Sequence, residues 1–145
     1  MLSTMMNTPL GVATLHRFGA RHFADSRVGD YDGEQICWRT YRDIHHISNG
    51  LAHGLMGLGL RPGDRVGTFM WNSTQHLEVY LAVPSMGGVL HTVNCRLSHE
   101  HIAYIINHAE DRFLVVDGRL AEILTPVLPL LSTVEYLLLS GDIGA

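Results

Sequence analysis

The sequence contains no lysine, and all ten of its basic residues are arginine. The phosphate loop G-x-x-x-x-G-K-[ST] is therefore excluded, because a lysine must reach the phosphates, and G-x-G-x-x-G is also absent. The two cysteines, Cys37 and Cys95, make neither a disulfide framework nor zinc spacing, and they fit a reducing, cytoplasmic setting. No apolar run approaches the roughly 18 residues of a membrane span. Net charge is −4 and charged residues make up only 17% of the chain, so the basic stripe of a nucleic-acid binder is missing. Residues 1–15 lack the Lys/Arg-rich start and small-residue cleavage site of a secretory signal. Arg17, Arg21 and Arg27, with no acid before Asp25, faintly resemble a transit peptide, but they are too few and too spread for a polybasic patch.

What remains is an ordinary globular composition: 145 residues, 46% hydrophobic, with 15 glycines and 5 prolines. A chain of that length buries a sizeable core as one domain. Val12, Leu15, Ala20 and Phe23 recur near helical spacing and predict a first helix. Asp32-Gly33 between Arg27–Tyr31 and Gln35–Trp38 predicts a β-hairpin. Thr40-x-x-Asp43 has the form of a capping box opening a long helix. Its apolar stripe is Tyr41, Ile44, Ile47, Leu51, Leu55 and Leu58, and Gly59 and Pro62 end it. Gly50, Gly54 and Gly57 inside that helix each cost up to about 1 kcal/mol relative to alanine. Close approach of a neighbouring backbone is the expected compensation.

From Arg65 onward, short apolar runs alternate with helical segments. Strands are predicted at 65–70, 88–93, 112–117 and 134–139. Helices are predicted at 74–86, with Leu77, Tyr80 and Leu81 inward and a kink or stop at Pro84, and after Ser98, with Ile102, Ile105, Ile106 and Ala109. A weaker helix spans 120–131, broken by Pro126 and Pro129. This alternation predicts an α/β fold with a mostly parallel sheet, flanking helices, and an N-terminal helix and hairpin.

Residue chemistry is sparse. The ten histidines include no i, i+4 pair. His46 and His53, like His101 and His108, stand two turns apart, about 10 Å of helical rise, too far for one zinc ion. His99 and His101 diverge at a helix start. Cys37 and Cys95 lack a nearby base and read as small buried hydrophobes. Met86-Gly87-Gly88 precedes a strand instead of a helix, so it offers no anion site. Ser140-Gly141-Asp142-Ile143-Gly144 follows the last strand without a cation and reads as a plain loop. Glu110-Asp111 falls at a helix end, and Asp117-Gly118 at a strand end reads as a turn. No catalytic, cofactor-binding or metal-binding residue is assigned.

A longer pattern carries more. Thr40-Tyr41-Arg42-Asp43-Ile44 is followed by Gly59-Leu60-Arg61-Pro62-Gly63-Asp64-Arg65-Val66 and by Asn72-Ser73. Then come His76-Leu77-Glu78-Val79-Tyr80-Leu81-Ala82-Val83-Pro84, Gly88-Val89-Leu90-His91-Thr92-Val93-Asn94 and Ala103-Tyr104-Ile105-Ile106-Asn107-His108-Ala109-Glu110-Asp111. Together these blocks resemble the N-terminal domain of the AMP-dependent acyl-adenylate-forming synthetases, nearest to medium- and long-chain fatty-acid–CoA ligases. Cys95, where that subgroup has proline, and Ser85, where it has glycine, depart from the pattern at turn or packing positions.

The resemblance implies a two-step ligation: a fatty acid is adenylated at the expense of Mg-ATP, and coenzyme A then displaces AMP. ATP, Mg2+, coenzyme A and a fatty acid are thus the implied ligands, and a homodimer is an implied assembly. The family's Ser/Thr/Gly-rich loop, its later acidic block and its C-terminal lysine have no counterpart here, so no family site residue is carried over. The expectation is a partial N-terminal AMP-binding domain over 1–145, with 1–39 as helix and hairpin, 40–145 as the βα-repeat region, and the C-terminal domain absent. Such a fragment is expected to be inactive alone. The alternative is a free-standing, non-catalytic binding or dimerisation module built on the same scaffold.

Overall fold

The computed structural model describes residue 4 and residues 7–141. Helix α1 (Val12–His22) leads into the antiparallel hairpin β1 (Arg27–Tyr31) and β2 (Ile36–Thr40), and then into α2 (Tyr41–Gly57). The hairpin loop is longer than Asp32-Gly33 alone. The Asp32 carboxylate accepts the backbone N–H groups of Glu34 and Gln35, both at 2.9 Å, and Gly33 takes φ 109°. This side-chain turn defers the second strand to Ile36. The capping box of α2 forms as the sequence predicts. Thr40 Oγ1 accepts the Asp43 N–H at 3.1 Å, and Asp43 accepts the Thr40 N–H at 3.1 Å, so two orphan amides of the first turn are satisfied.

Three βα units follow: β3 (Arg65–Phe69), α3 (Thr74–Ser85), β4 (Val89–Thr92), α4 (His99–Ala109), β5 (Phe113–Asp117), the short α5 (Ala121–Leu124) and β6 (Tyr136–Ser140). The strands form one parallel sheet in the order β4-β3-β5-β6. From β3 the chain first steps outward to β4 and then returns past β3 to β5. Right-handed crossovers therefore put α3 on one face and α4 on the other. Alternating residues feed two cores. Val66, Met70, Phe113 and Val115 pack with Leu55, Val79 and Val83. Phe69, Leu114 and Val116 pack with Ile102, Ile106, Leu120 and Leu124.

Four expectations need correction. The predicted inward face of α3 (Leu77, Tyr80, Leu81) is its outer face, because Val79, Ala82 and Val83 are the buried apolar residues. A helix apolar on most sides has no single stripe to mark its sheet side. On α2, Ile44, Ser48, Ala52 and Leu55 are buried, whereas Tyr41 and Leu58 at the ends of the predicted stripe are exposed. Gly50, Gly54 and Gly57 meet no backbone neighbour, since nothing lies within 4 Å of a Cβ built at any of them. The predicted helix over 120–131 is realised as a 3-10 turn at Gly118–Leu120, the single turn α5, and another 3-10 turn at Leu128–Leu130.

Arg112 ties the start of the sheet together. It donates to Gly59 O at 2.9 Å, to Asp64 at 2.7 Å and to Glu135 at 2.8 Å. Asn107 clamps the segment before β6, donating to Leu130 O and accepting from the Ser132 N–H, both at 2.8 Å.

Candidate functional site

In an open parallel sheet, a cleft forms outside the carboxyl ends of the strands where the strand order reverses. Here that point lies between β3 and β5. A cleft of ≈ 560 Å³ opens there, walled by 70–75 after β3, by Asp117 and Arg119 after β5, by Ser140 and Gly141 after β6, and by Asp30, Cys37 and Arg39 of the hairpin.

Its charges are arranged as pairs. Arg119 grips Asp117 through Nε at 2.9 Å and Nη2 at 2.7 Å, and its backbone N–H donates to the same carboxylate at 3.0 Å. The Arg119 side chain first, and then the backbone N–H groups of Arg119 and Trp71, hold the Asp117 carboxyl below its usual range against the opposing effect of burial. Arg39 lies 3.5 Å from Glu78, whose side chain is 7% exposed. Burial pushes Glu78 up, with Arg39 pulling the other way.

The N-terminus of α3 opens onto the cleft, but the protein fills it with its own anion. Asp30 accepts the Thr74 N–H at 2.8 Å and its hydroxyl at 2.9 Å, and Ser73 Oγ accepts the His76 N–H at 3.2 Å. Beneath it His76 is buried and held below the ordinary imidazole range by desolvation. Its Nδ1 meets the Trp71 carbonyl at 3.2 Å and so donates, which leaves Nε2 to accept from the Thr68 hydroxyl at 2.9 Å.

Chemically, this cleft is a polar recess with both arginines engaged. It does not fit the phosphates of Mg-ATP: the chain has no lysine, the helix N-terminus is already capped by Asp30, and Arg119 is committed to Asp117. Among the described residues no group of three or more His, Cys, Asp or Glu converges on a point.

The residues weighed from sequence are dispersed. Asp117, read as a turn residue, caps the 3-10 turn after β5 and is nearly buried beside the cleft. Cys37 is exposed at the cleft rim, against the expectation of burial, because β2 belongs to a two-stranded hairpin outside the main sheet. Cys95 is half-buried against the α4-side core. Glu110 and Asp111 diverge. Glu110 is the left-handed cap of α4 (φ 54°) and pairs with Arg65 at 2.6 Å, while Asp111 is fully buried. His46, His53, His99, His101 and His108 are exposed. Met86-Gly87-Gly88 is a turn in which Gly87 has φ 88°. In the Ser140–Gly144 loop, residues 142–144 lie outside the described residues.

Two pairings escape sequence spacing. His91 of β4 donates through Nδ1 to Asp111 at 2.7 Å, and His16 of α1 meets His45 of α2 at 3.3 Å. Gly67 in the middle of β3 is the one available signal for the first, since an interior strand glycine marks a close approach.

No described helix is long and apolar enough to cross a membrane. Comparison with known proteins completes the assignment. The chain is 40% identical over 142 residues to the long-chain-fatty-acid–CoA ligase of Thermus thermophilus, covering 97% of this chain and 26% of that one. It is 38% identical over 142 residues to the 3-methylmercaptopropionyl-CoA ligase of Ruegeria pomeroyi, again covering 97% of this chain and 26% of the relative. The chain therefore spans about a quarter of the length of these relatives. The crystal structure of a long-chain-fatty-acid-CoA ligase from Archaeoglobus fulgidus superposes with a TM-score of 0.82 at 21% identity, covering 98% of this chain and 30% of that one, and supports the fold. Residues 17–142 match the AMP-binding enzyme family, and the chain belongs to it.

Proposed function

We propose that this chain is the N-terminal portion of a fatty-acid–CoA ligase, an ATP-dependent enzyme that joins a carboxylic acid to the thiol of coenzyme A. The observation that carries this reading is near-complete coverage by a fatty-acid–CoA ligase at 40% identity. A medium-chain-fatty-acid–CoA ligase of Ectopseudomonas oleovorans, 37% identical over 131 residues, supports the same substrate class. In this reading residues 1–39 and 40–145 are the opening segment and first βα units of the AMP-binding domain. ATP, Mg2+, coenzyme A and the fatty acid bind the complete enzyme in the cytoplasm, as a homodimer where the family's assembly holds. The 145 residues alone are inactive. Their cleft supplies two paired arginines and a sealed helix N-terminus, whereas phosphate charge developing in a reaction needs free, pre-aimed cations and donors.

The test is the intact mass of the native protein that carries these peptides, followed by a pyrophosphate-release assay with Mg-ATP, decanoate and coenzyme A. A species several times heavier than 16.1 kDa with acid-dependent pyrophosphate release is expected. A stable native species of this mass that binds a protein partner and releases no pyrophosphate would instead make the chain a non-catalytic module.

A further inference from the structure

The two faces of the hairpin β1–β2 differ in kind. Its register sets Val28 opposite Arg39 and Asp30 opposite Cys37 on one face. That face is occupied: Asp30, Cys37 and Arg39 wall the cleft, and Val28 lines a groove of ≈ 440 Å³ beneath α1. Arg27 opposite Thr40, Gly29 opposite Trp38 and Tyr31 opposite Ile36 make up the other face, because side chains alternate along a strand. This outer face is open and largely apolar, with Tyr31 68%, Ile36 51% and Trp38 58% exposed.

Its parts are fixed in place. A Cβ on Gly29 would stand 3.0 Å from Ile36 Cγ2 and 3.0 Å from the Trp38 ring, so these two side chains close over the glycine into one apolar surface. The Tyr31 hydroxyl donates to the Gly33 carbonyl at 2.7 Å, which holds the phenol at the rim that this face shares with the cleft. Preorganised tryptophan and tyrosine side chains are frequent energetic anchors of protein interfaces.

Charge selects the occupant. Arg27 stands at the base of the face and Glu34 at the exposed hairpin tip, about 17 Å away along the strand. Neither has an ion-pair partner among the described residues. A surface that is basic at one end, acidic at the other and apolar between is complementary to itself when turned end for end about a two-fold axis.

We propose that the outer face of the hairpin pairs with the same face of a second copy of this chain, with Arg27 of each copy against Glu34 of the other and Trp38 at the centre. A homodimer is already part of the ligase reading; the surface, and the reason a second copy fits it, rest on the hairpin. The apolar centre and charged rim bury about 1,000 Å² in total, the low end of specific interfaces, so a dissociation constant of roughly 10–100 µM is expected.

The experiment is sedimentation velocity of the 145-residue chain from about 5 to about 500 µM, which brackets that constant. Monomer at the dilute end and dimer at the concentrated end are expected. Trp38→Ser keeps the chain monomeric throughout, with circular dichroism establishing that it is folded. Arg27→Glu and Glu34→Arg each weaken the dimer about tenfold, since both symmetry-related contacts turn repulsive. Mixed in equal amounts, these two variants form a heterodimer as tight as the unaltered homodimer, because one carries acid at both ends of the face and the other base at both ends. A misfolded variant cannot give that rescue. A chain monomeric at every concentration, a dimer indifferent to a folded Trp38→Ser chain, or two charge variants that fail to restore each other overturns the proposal. So does a dimer dispersed by Leu139→Glu and not by Trp38→Ser, which would place the contact on the edge strand β6, where Leu139 is exposed. No nucleotide, fatty acid or coenzyme A is present in these runs. A monomer here leaves the ligase reading standing, and failure of the pyrophosphate assay leaves this dimer untouched.

Discussion

Gly67 and Asp111 compete for the same space: a Cβ on Gly67 would stand 2.8 Å from Asp111 Oδ2 and 2.9 Å from a Leu114 methyl. The missing side chain in the middle of β3 is the room in which a fully buried carboxylate sits. Gly67→Ala is therefore expected to destabilise the chain by about 1–3 kcal/mol through overpacking, despite the better strand propensity of alanine. Urea unfolding at neutral pH checks this. An unchanged midpoint would mean that Asp111 moves aside at no cost.

The partner of that carboxylate is His91, 2.7 Å away, and Asp111 Oδ1 has no hydrogen-bond partner. Removing His91 leaves a buried carboxylate unpaired, so His91→Leu is expected to cost about 3–5 kcal/mol at neutral pH. Burial raises the Asp111 pKa, with His91 and then Arg65 opposing it. An acid whose folded pKa lies above its unfolded value binds more protons in the folded state. Stability therefore falls as pH rises from the unfolded toward the folded pKa. Without His91 that loss is larger, so the penalty of His91→Leu shrinks as the pH is lowered toward the ordinary carboxylate range. Denaturation of both proteins across that range measures it, and a penalty independent of pH would assign the cost to packing.

Asp117 has the opposite sign. Arg119, the first cause, holds its carboxyl below the usual value. Its contribution is present above the unfolded carboxylate pKa and is lost as pH falls through the lower folded one. Replacing Arg119 by methionine is therefore expected to cost most at neutral and weakly alkaline pH, where that contribution is fully present, to cost progressively less as pH falls below the ordinary carboxylate range, and to move the acid-unfolding midpoint of the chain upward in pH. Acid titration followed by circular dichroism reads the midpoint.

Gly50 and Gly54 lie on the exposed side of α2 with open space where a Cβ would be. Gly50→Ala and Gly54→Ala are each expected to stabilise the chain by about 0.5–1 kcal/mol, raising the thermal midpoint by a few degrees. Thermal unfolding of each single variant tests this. A loss of stability at either position would reveal the close approach that the fold does not show.

Local rules made much of this fold legible. Thr40 and Asp43 are three residues apart, so their capping box is a property of a tetrapeptide. The four parallel strands announce themselves as short apolar runs between helical segments, and the central pair, β3 and β5, is buried on both faces. The resemblance to the adenylate-forming synthetases is also legible, since it rests on contiguous blocks of residues.

What spacing leaves open is decided by contacts between distant elements. Whether Leu77, Tyr80 and Leu81 or Val79, Ala82 and Val83 face the sheet depends on where α1 lies, because both sides of α3 are apolar. Asp30 closes the N-terminus of α3 from 44 residues away, and no periodicity announces such a cap. Asp111 meets His91 across 20 residues, and His45 meets His16 across 29. Helical and strand periods order neighbours along one element. Which charged or polar groups share a buried space is set only when separate elements pack, and in this protein that packing built both the paired charges of the cleft and the groove beneath α1.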